Sequence, residues 1–180
     1  MKTFYVTKRA DWRRWLEEHH DSENEIWLVY YRKETGKPRI SYEDALNEAL
    51  DFGWIDSIQK GIDKERFAQR FSPRRDTARW SEANKERARR LIGNGRMTPA
   101  GMAKIGDALK EERVDLKEDV LEALKKEDTV WENYNGFPET YKRVRIGWIE
   151  GARMRPAEFR KRLDYFIRMT DKNQMFGRVR

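Results

Sequence analysis

Residues 54–73 read W-I-D-S-I-Q-K-G-I-D-K-E-R-F-A-Q-R-F-S-P. Here the apolar period changes from about 3.6 to 2, which decides the fold class. Ile55 and Ser57 alternate with Trp54, Asp56 and Ile58. Gly61 and Asp63 mark a turn. Phe67, Gln69 and Phe71 then share one face, with Arg66, Ala68 and Arg70 on the other, and Pro73 ends the strand. Upstream, Ser41 caps a predicted helix with Glu43 and Asp44 in its first turn. Tyr42, Ala45, Leu46, Ala49 and Leu50 form its apolar face, and Gly53 stops it in a left-handed conformation. Further out, Ile26 to Tyr31 (I-W-L-V-Y-Y) predicts a central strand covered on both faces. Thr7 is expected to cap a helix over 8–19, with Trp12, Trp15, Leu16 and His19 on one stripe.

Downstream, Ser81 opens a helix carrying Asn84, Arg87, Ala88, Leu91 and Ile92, and Thr98-Pro99 starts another. Beyond residue 114 only helical stripes remain: Val120, Leu121 and Leu124; Tyr141, Val144, Arg145, Trp148 and Ala152; Phe159, Leu163, Phe166 and Ile167. Arg155-Pro156 separates the last two. The fold class is α+β: a small antiparallel sheet flanked by helices, followed by a C-terminal helical subdomain of three or four helices. The boundary is expected near 110–116, giving residues 1–113 as the α+β domain and 114–180 as the helical region.

The 180 residues include 39 Lys and Arg, 32 Asp and Glu, two His and no Cys. The absence of Cys excludes disulfides, thiolate metal sites and a cysteine nucleophile. Adjacent His19 and His20 make a His-rich zinc site an unfavourable reading, so no metal and no cofactor are expected. No apolar run approaches the ~20 residues a membrane span needs, so no membrane insertion is expected. The start, Met1 to Val6 followed by Lys8, Arg9 and Asp11, shows no apolar signal region, which predicts a cytoplasmic protein. The net charge of +7 is uneven: −3 over residues 1–65, +7 over 66–113 and +3 over 114–180. The basic middle third attracts phosphates, nucleic acid or anionic small molecules. For residues 85–90 a solvated helix face is the simpler account.

Asp56, Gln69, Arg70, Arg74, Arg75, Trp80 and Asn84 fall within 29 residues, on two strands and one helix start. They are the candidate ligand-binding residues, and all of them but Gln69 are expected to line one concave surface. Guanidinium groups hold phosphate or carboxylate in bidentate fashion, a helix start adds N–H donors, and Trp80 can stack on a planar ring. The structural alternative has Asp56 pairing with Arg70 or Arg74 to lock a hairpin, with Trp80 as a core plug. Asp56, set between apolar residues, is also the one candidate acid/base. Asp51-Phe52-Gly53 spells a kinase motif by accident, since no Gly-rich phosphate loop or His-Arg-Asp loop accompanies it.

The chain resembles the YdeI/OmpD-associated, or bacteriocin-protection, family. The resemblance rests on Glu25-Ile26-Trp27-Leu28-Val29, Gly36-Lys37-Pro38, Ser41 to Leu46, Phe52 to Ser57, Gln69 to Arg75, Trp80-Ser81, Asn84 and Arg96 to Gly101. Trp148-Ile149-Glu150 and Ala152-Arg153 extend it more loosely into the tail. The chain departs from the family at Asp51, where Cys is frequent, and at Phe159, where Thr is usual. The resemblance implies a small protein linked to envelope stress and to tolerance of bacteriocins or antimicrobial peptides, through association with a porin. Direct contact with an outer-membrane porin would require a signal peptide.

Three function classes follow. The favoured one is a binding protein for a small anionic or nucleotide-like ligand. The others are a nucleic-acid-binding protein using the basic middle segment, and an enzyme with Asp56 as acid/base.

Overall fold

A computed structural model describes residues 1–75, 80–110 and 116–177. The chain divides into two compact units, one of residues 1–78 and 87–107, the other of residues 79–86 and 108–180. The expected boundary at 113/114 lies outside the described residues.

The first unit is built on a four-stranded sheet. In chain order it contains β1 (Thr3–Tyr5), α1 (Arg9–His19), β2 (Ile26–Tyr31), a 3-10 turn (Lys33–Thr35), α2 (Tyr42–Asp51), β3 (Trp54–Gly61), β4 (Arg66–Pro73) and α4 (Pro99–Ile105). It also takes the second half of α3 (Glu82–Gly93). The strand order is β1-β2-β4-β3. β2–β4 and β4–β3 are antiparallel, as the alternation predicts, with a bulge between Asp56 and Gln59. β1 adds a parallel edge strand, joined to β2 through α1, so the sheet is mixed. With only three residues, β1 shows no alternation that a sequence can reveal.

β2 is interior and buried from Ile26 to Tyr30, as its unbroken apolar run requires. The register puts Ile26 opposite Phe71, Leu28 opposite Gln69 and Tyr30 opposite Phe67, all on one face. Trp12 of α1 meets Phe71 on that face at 5.6 Å between ring centres. Its indole N–H donates to the Ala45 carbonyl at 2.9 Å, tying α1 to α2. Trp54 is 1% exposed, stands edge-on to Trp15 and donates to the His20 carbonyl at 3.0 Å.

The helix starts divide into two kinds. The Ser41 side chain accepts from the Asp44 amide, Thr98 accepts from the Gly101 amide with Pro99 in the first turn, and Ser81 accepts from the Asn84 amide. The expected Thr7 cap does not form. The N-cap of α1 is Lys8, with no side-chain hydrogen bond, and α1 is held instead by the burial of Trp12 and Leu16. Gly53 ends α2 at φ +74°, and a Cβ there would sit 2.7 Å from Lys104 Cγ and 3.0 Å from the Ala100 carbonyl. Positive φ and close packing against α4 both require glycine.

The second unit contains α5 (Glu118–Lys125), α6 (Asp128–Gly136), α7 (Glu139–Glu150) and α8 (Pro156–Asp171), together with the first half of α3. Its core gathers Val120, Leu124, Val130, Tyr134, Phe137, Tyr141, Ile146, Ile149 and Phe166. Among the described residues no strand occurs beyond residue 115. No helix among them is long and apolar enough to cross a membrane.

Trp54→Ala is expected to cost about 3–5 kcal/mol, as large-to-small core truncations do. Against a total of roughly 5–15 kcal/mol, the variant should be barely folded in a urea or thermal melt. An unchanged midpoint would contradict this account of the core.

Candidate functional site

Asp56 lies opposite Phe71 in the sheet register, which puts it on the face that α2 covers. Tyr42, the first residue of α2, reaches across to it: its hydroxyl donates to Asp56 Oδ2 at 2.8 Å. The Gln69 amide donates to the same oxygen at 3.4 Å and to the Ser57 carbonyl at 3.3 Å. Among the described residues none donates to Oδ1 of Asp56. Tyr30 completes the group. It is 3% exposed and stacked on Phe67 at 5.2 Å, and its buried hydroxyl has no hydrogen-bond partner. Burial raises the pKa of this phenol, with Tyr42 and Asp56 adding to the rise and Arg39 opposing it. Burial also raises that of Tyr42, and Asp56 reinforces the effect. Both phenols therefore stay neutral at physiological pH, as hydrogen-bond donors.

A buried hydroxyl without a partner forfeits about 1–3 kcal/mol, so each such case requires a reason. Beside Tyr30 stand an acceptor with a free oxygen, Asp56, and a half-buried guanidinium, Arg39, which donates to the Tyr31 carbonyl at 2.8 Å. The set offers a donor, an acceptor and a positive charge.

The other candidates are distributed differently. Arg70 is opposite Trp27, on the reverse face of the sheet from Asp56. It donates to Glu25 at 2.6 Å and to Ser57 Oγ at 3.4 Å. This hydrogen bond, helped by the Trp27 indole, holds the Glu25 carboxyl below its usual range. The expected Asp56–Arg70 clamp is thus replaced by Asp56–Tyr42 on one face and Arg70–Glu25 on the other. Arg74 is buried just past β4, its amide donating to the Gly53 carbonyl at 2.8 Å, and burial lowers its pKa. Arg75 is exposed. Trp80 and Asn84 are half-buried and belong to the second unit.

A second polar cluster lies on α2, apart from the candidate residues. Asp44, Glu48 and Asp51 follow one another at spacings of four and three along α2, a pattern visible in the sequence. Glu48 and Asp51 are 1% and 0% exposed. Arg13 contacts them at 2.9 and 3.3 Å, and Arg96 at 2.5 and 3.2 Å. Arg9 pairs with Glu48 and, at 3.4 Å, with Asp44. Oδ1 of Asp51 and Nε of Arg96 are buried without hydrogen bonds. This cluster joins α1, α2 and the approach to α4.

The basic run is also engaged within the molecule. Lys85 pairs with Glu82 at 2.7 Å, and Arg87 and Arg90 share Glu43 at 2.9 and 3.6 Å. Among the described residues no three His, Asp or Glu gather as a metal site.

Residues 4–104 match the family model described as a domain of unknown function (DUF8412). Residues 113–173 match the model described as bacteriocin-protection, YdeI or OmpD-associated. The resemblance to the latter family therefore holds over the tail, where the quoted motifs are sparse. The dense motifs between Glu25 and Gly101 fall within the other match. No curated protein and no solved structure matches the chain.

Burial pushes the Asp51 carboxyl above its ordinary value and Glu48 adds to this, while Arg96 and Arg13 pull it down. A raised acid binds its proton more tightly in the fold than in the unfolded chain. Its contribution to stability is therefore full below the ordinary carboxylate range and declines as pH rises through the folded pKa. Asp51→Asn removes that decline. The variant should gain stability relative to the parent between pH 3 and pH 7 in paired denaturant melts. A relative loss over that range would mean that the arginines, not burial, dominate at Asp51.

Proposed function

We propose that this chain, which belongs to the DUF8412 family, is a binding protein for a small anionic, nucleotide-like ligand held in its first unit at Tyr30, Tyr42, Asp56 and Gln69. The observation that carries the proposal is the buried Tyr30 hydroxyl with no partner, beside a carboxylate with one oxygen unused. A planar group bearing a donor and an acceptor, such as a nucleobase edge, pairs with Asp56 Oδ1 and the Tyr30 hydroxyl together. Arg39 supplies the charge for an anionic substituent. Arg74 and Arg75, directly after β4, remain in the proposal as further anion contacts. Binding is favoured over turnover because both phenols are held neutral and Asp56 already accepts two hydrogen bonds, with no activated nucleophile beside it. A cytoplasmic location and a role in tolerance of bacteriocins or antimicrobial peptides belong to the same proposal, the latter through the match over residues 113–173.

A thermal-shift screen of the full chain against nucleotides, sugar phosphates and carboxylates tests it. A ligand at ~100 times its dissociation constant stabilises by roughly 2.7 kcal/mol. Tyr30→Phe deletes only the unpartnered hydroxyl, so the free protein should melt at the same temperature or higher while the ligand-induced shift shrinks. A Tyr30→Phe protein that melts lower without ligand, and keeps the full shift, would make the hydroxyl a structural group. Broad affinity for DNA that collapses with salt would support the nucleic-acid reading instead.

A further inference from the structure

Arg145 lies on α7, within the second unit, and is 8% exposed. Its guanidinium carbon stands 4.8 Å from the Phe176 ring centre, 5.6 Å from Tyr141 and 6.0 Å from Trp148. The frame is ordered by its own contacts. The Phe176 amide donates to the Tyr141 hydroxyl at 3.3 Å, and the Phe176 ring stands edge-on to Trp148 at 5.8 Å. Gly177, at φ +72°, lies against the guanidinium so closely that a Cβ would fall 2.7 Å from Nη1. Aromatic rings interact favourably with a cation but accept none of its in-plane N–H bonds. The Nε–H is shut off from solvent and meets no acceptor. Among the described residues no carboxylate pairs with Arg145, and Tyr141 favours its charge, against a burial that lowers its pKa.

Its neighbours on α7 and α8 are treated differently. Lys142, also buried, reaches Glu139 at 2.6 Å and the Asn135 carbonyl at 3.3 Å. Arg162 on α8 reaches Glu158 at 2.8 Å and the Trp148 carbonyl at 2.6 Å. Among these three cations only Arg145 lacks an acceptor. A buried guanidinium is normally retained with a counter-charge, because burial without one is costly. We propose that the Arg145 guanidinium, framed by Tyr141, Trp148 and Phe176, is a binding site for an oxyanion, a phosphate or carboxylate group carried by a small molecule. The planar fork meets two oxygens of such a group at once, and the half-buried Trp148 and Phe176 rings give the ligand an apolar rim. This site is independent of the one at Tyr30.

The test is nitrogen-15 NMR of arginine side chains in the full chain, the Arg145 Nε–Hε signal being assigned by through-bond correlation to the Arg145 backbone. Inorganic phosphate and citrate are titrated separately against sodium chloride of equal ionic strength. A saturable shift of that signal with phosphate, citrate or both, and not with chloride, is expected. The arm that responds tells phosphate from carboxylate. Calorimetry with the responding anion should lose at least tenfold in affinity on Arg145→Met. An Arg145 signal that moves with neither anion, or equally with chloride, overturns the proposal. So does an Arg145→Met protein that binds as the parent does. Because the NMR arm uses the unmodified chain, the test stands even if Arg145→Met fails to fold.

Discussion

Two carboxylates buried on one helix constrain the first unit more than any other feature. α2 is buried continuously from Ala45 to Asp51, so Glu48 and Asp51 go inside with the leucines and alanines between them. Charges so placed must be met by opposite charges or the helix cannot dock. Arg9 and Arg13 meet them from α1, and Arg96 from the segment leading to α4. With those contacts made, the end of α2 is held, Gly53 turns the chain directly into β3, and the Gly53 carbonyl accepts the Arg74 amide at the far end of β4. The other end of α2 is held by Ser41, which sets Tyr42 where its hydroxyl reaches Asp56. The Tyr42–Asp56 contact follows from the ionic constraint, because one rigid helix carries both.

The features legible in the sequence are those that local chemistry determines. Ser41, Ser81 and Thr98 accept amide hydrogen bonds because side-chain oxygens do so at helix starts in almost any context. Gly53 takes positive φ because little else tolerates it. Ile26 to Tyr31 is apolar without interruption because both faces are covered. What stayed hidden depends on register or on brevity. β1 is three residues long. α6 buries only Val130 and Tyr134, too few for a stripe. Arg70 and Asp56 fall on opposite faces because Asp56 pairs with Phe71 across the hairpin, and a bulge then shifts the register before Gln59. Alternation within a single strand cannot report such an offset between strands.

The same limit explains why the sequence shows only some of the residues of the candidate site. Asp56 and Gln69 stand out in sequence as polar residues within strands. Tyr30 and Tyr42 do not, because tyrosine passes as apolar in both strand and helix patterns. Each buries a ring and presents a hydroxyl, and only the fold tells which end matters. Arg145 belongs to a helical stripe by its spacing alone, and that spacing places it inside. Its chemistry follows from what surrounds it there.

Asp51, Tyr30 and Arg145 are among the buried polar groups that lack a complete set of partners. Their surroundings separate them. Asp51 Oδ2 sits within reach of two arginines, and only Oδ1 is unmet, so the charge is compensated and the defect is local. Tyr30 is neutral, so its defect is one missing hydrogen bond and not an unmet charge. Among the described residues Arg145 has neither a counter-charge nor an acceptor, and no proton loss can relieve a guanidinium at physiological pH. Packing alone gives no reason to keep it: an apolar side chain of similar volume would fill the space among Tyr141, Trp148 and Phe176 without the desolvation penalty. A cation retained there is best accounted for by an anion that arrives from outside the chain.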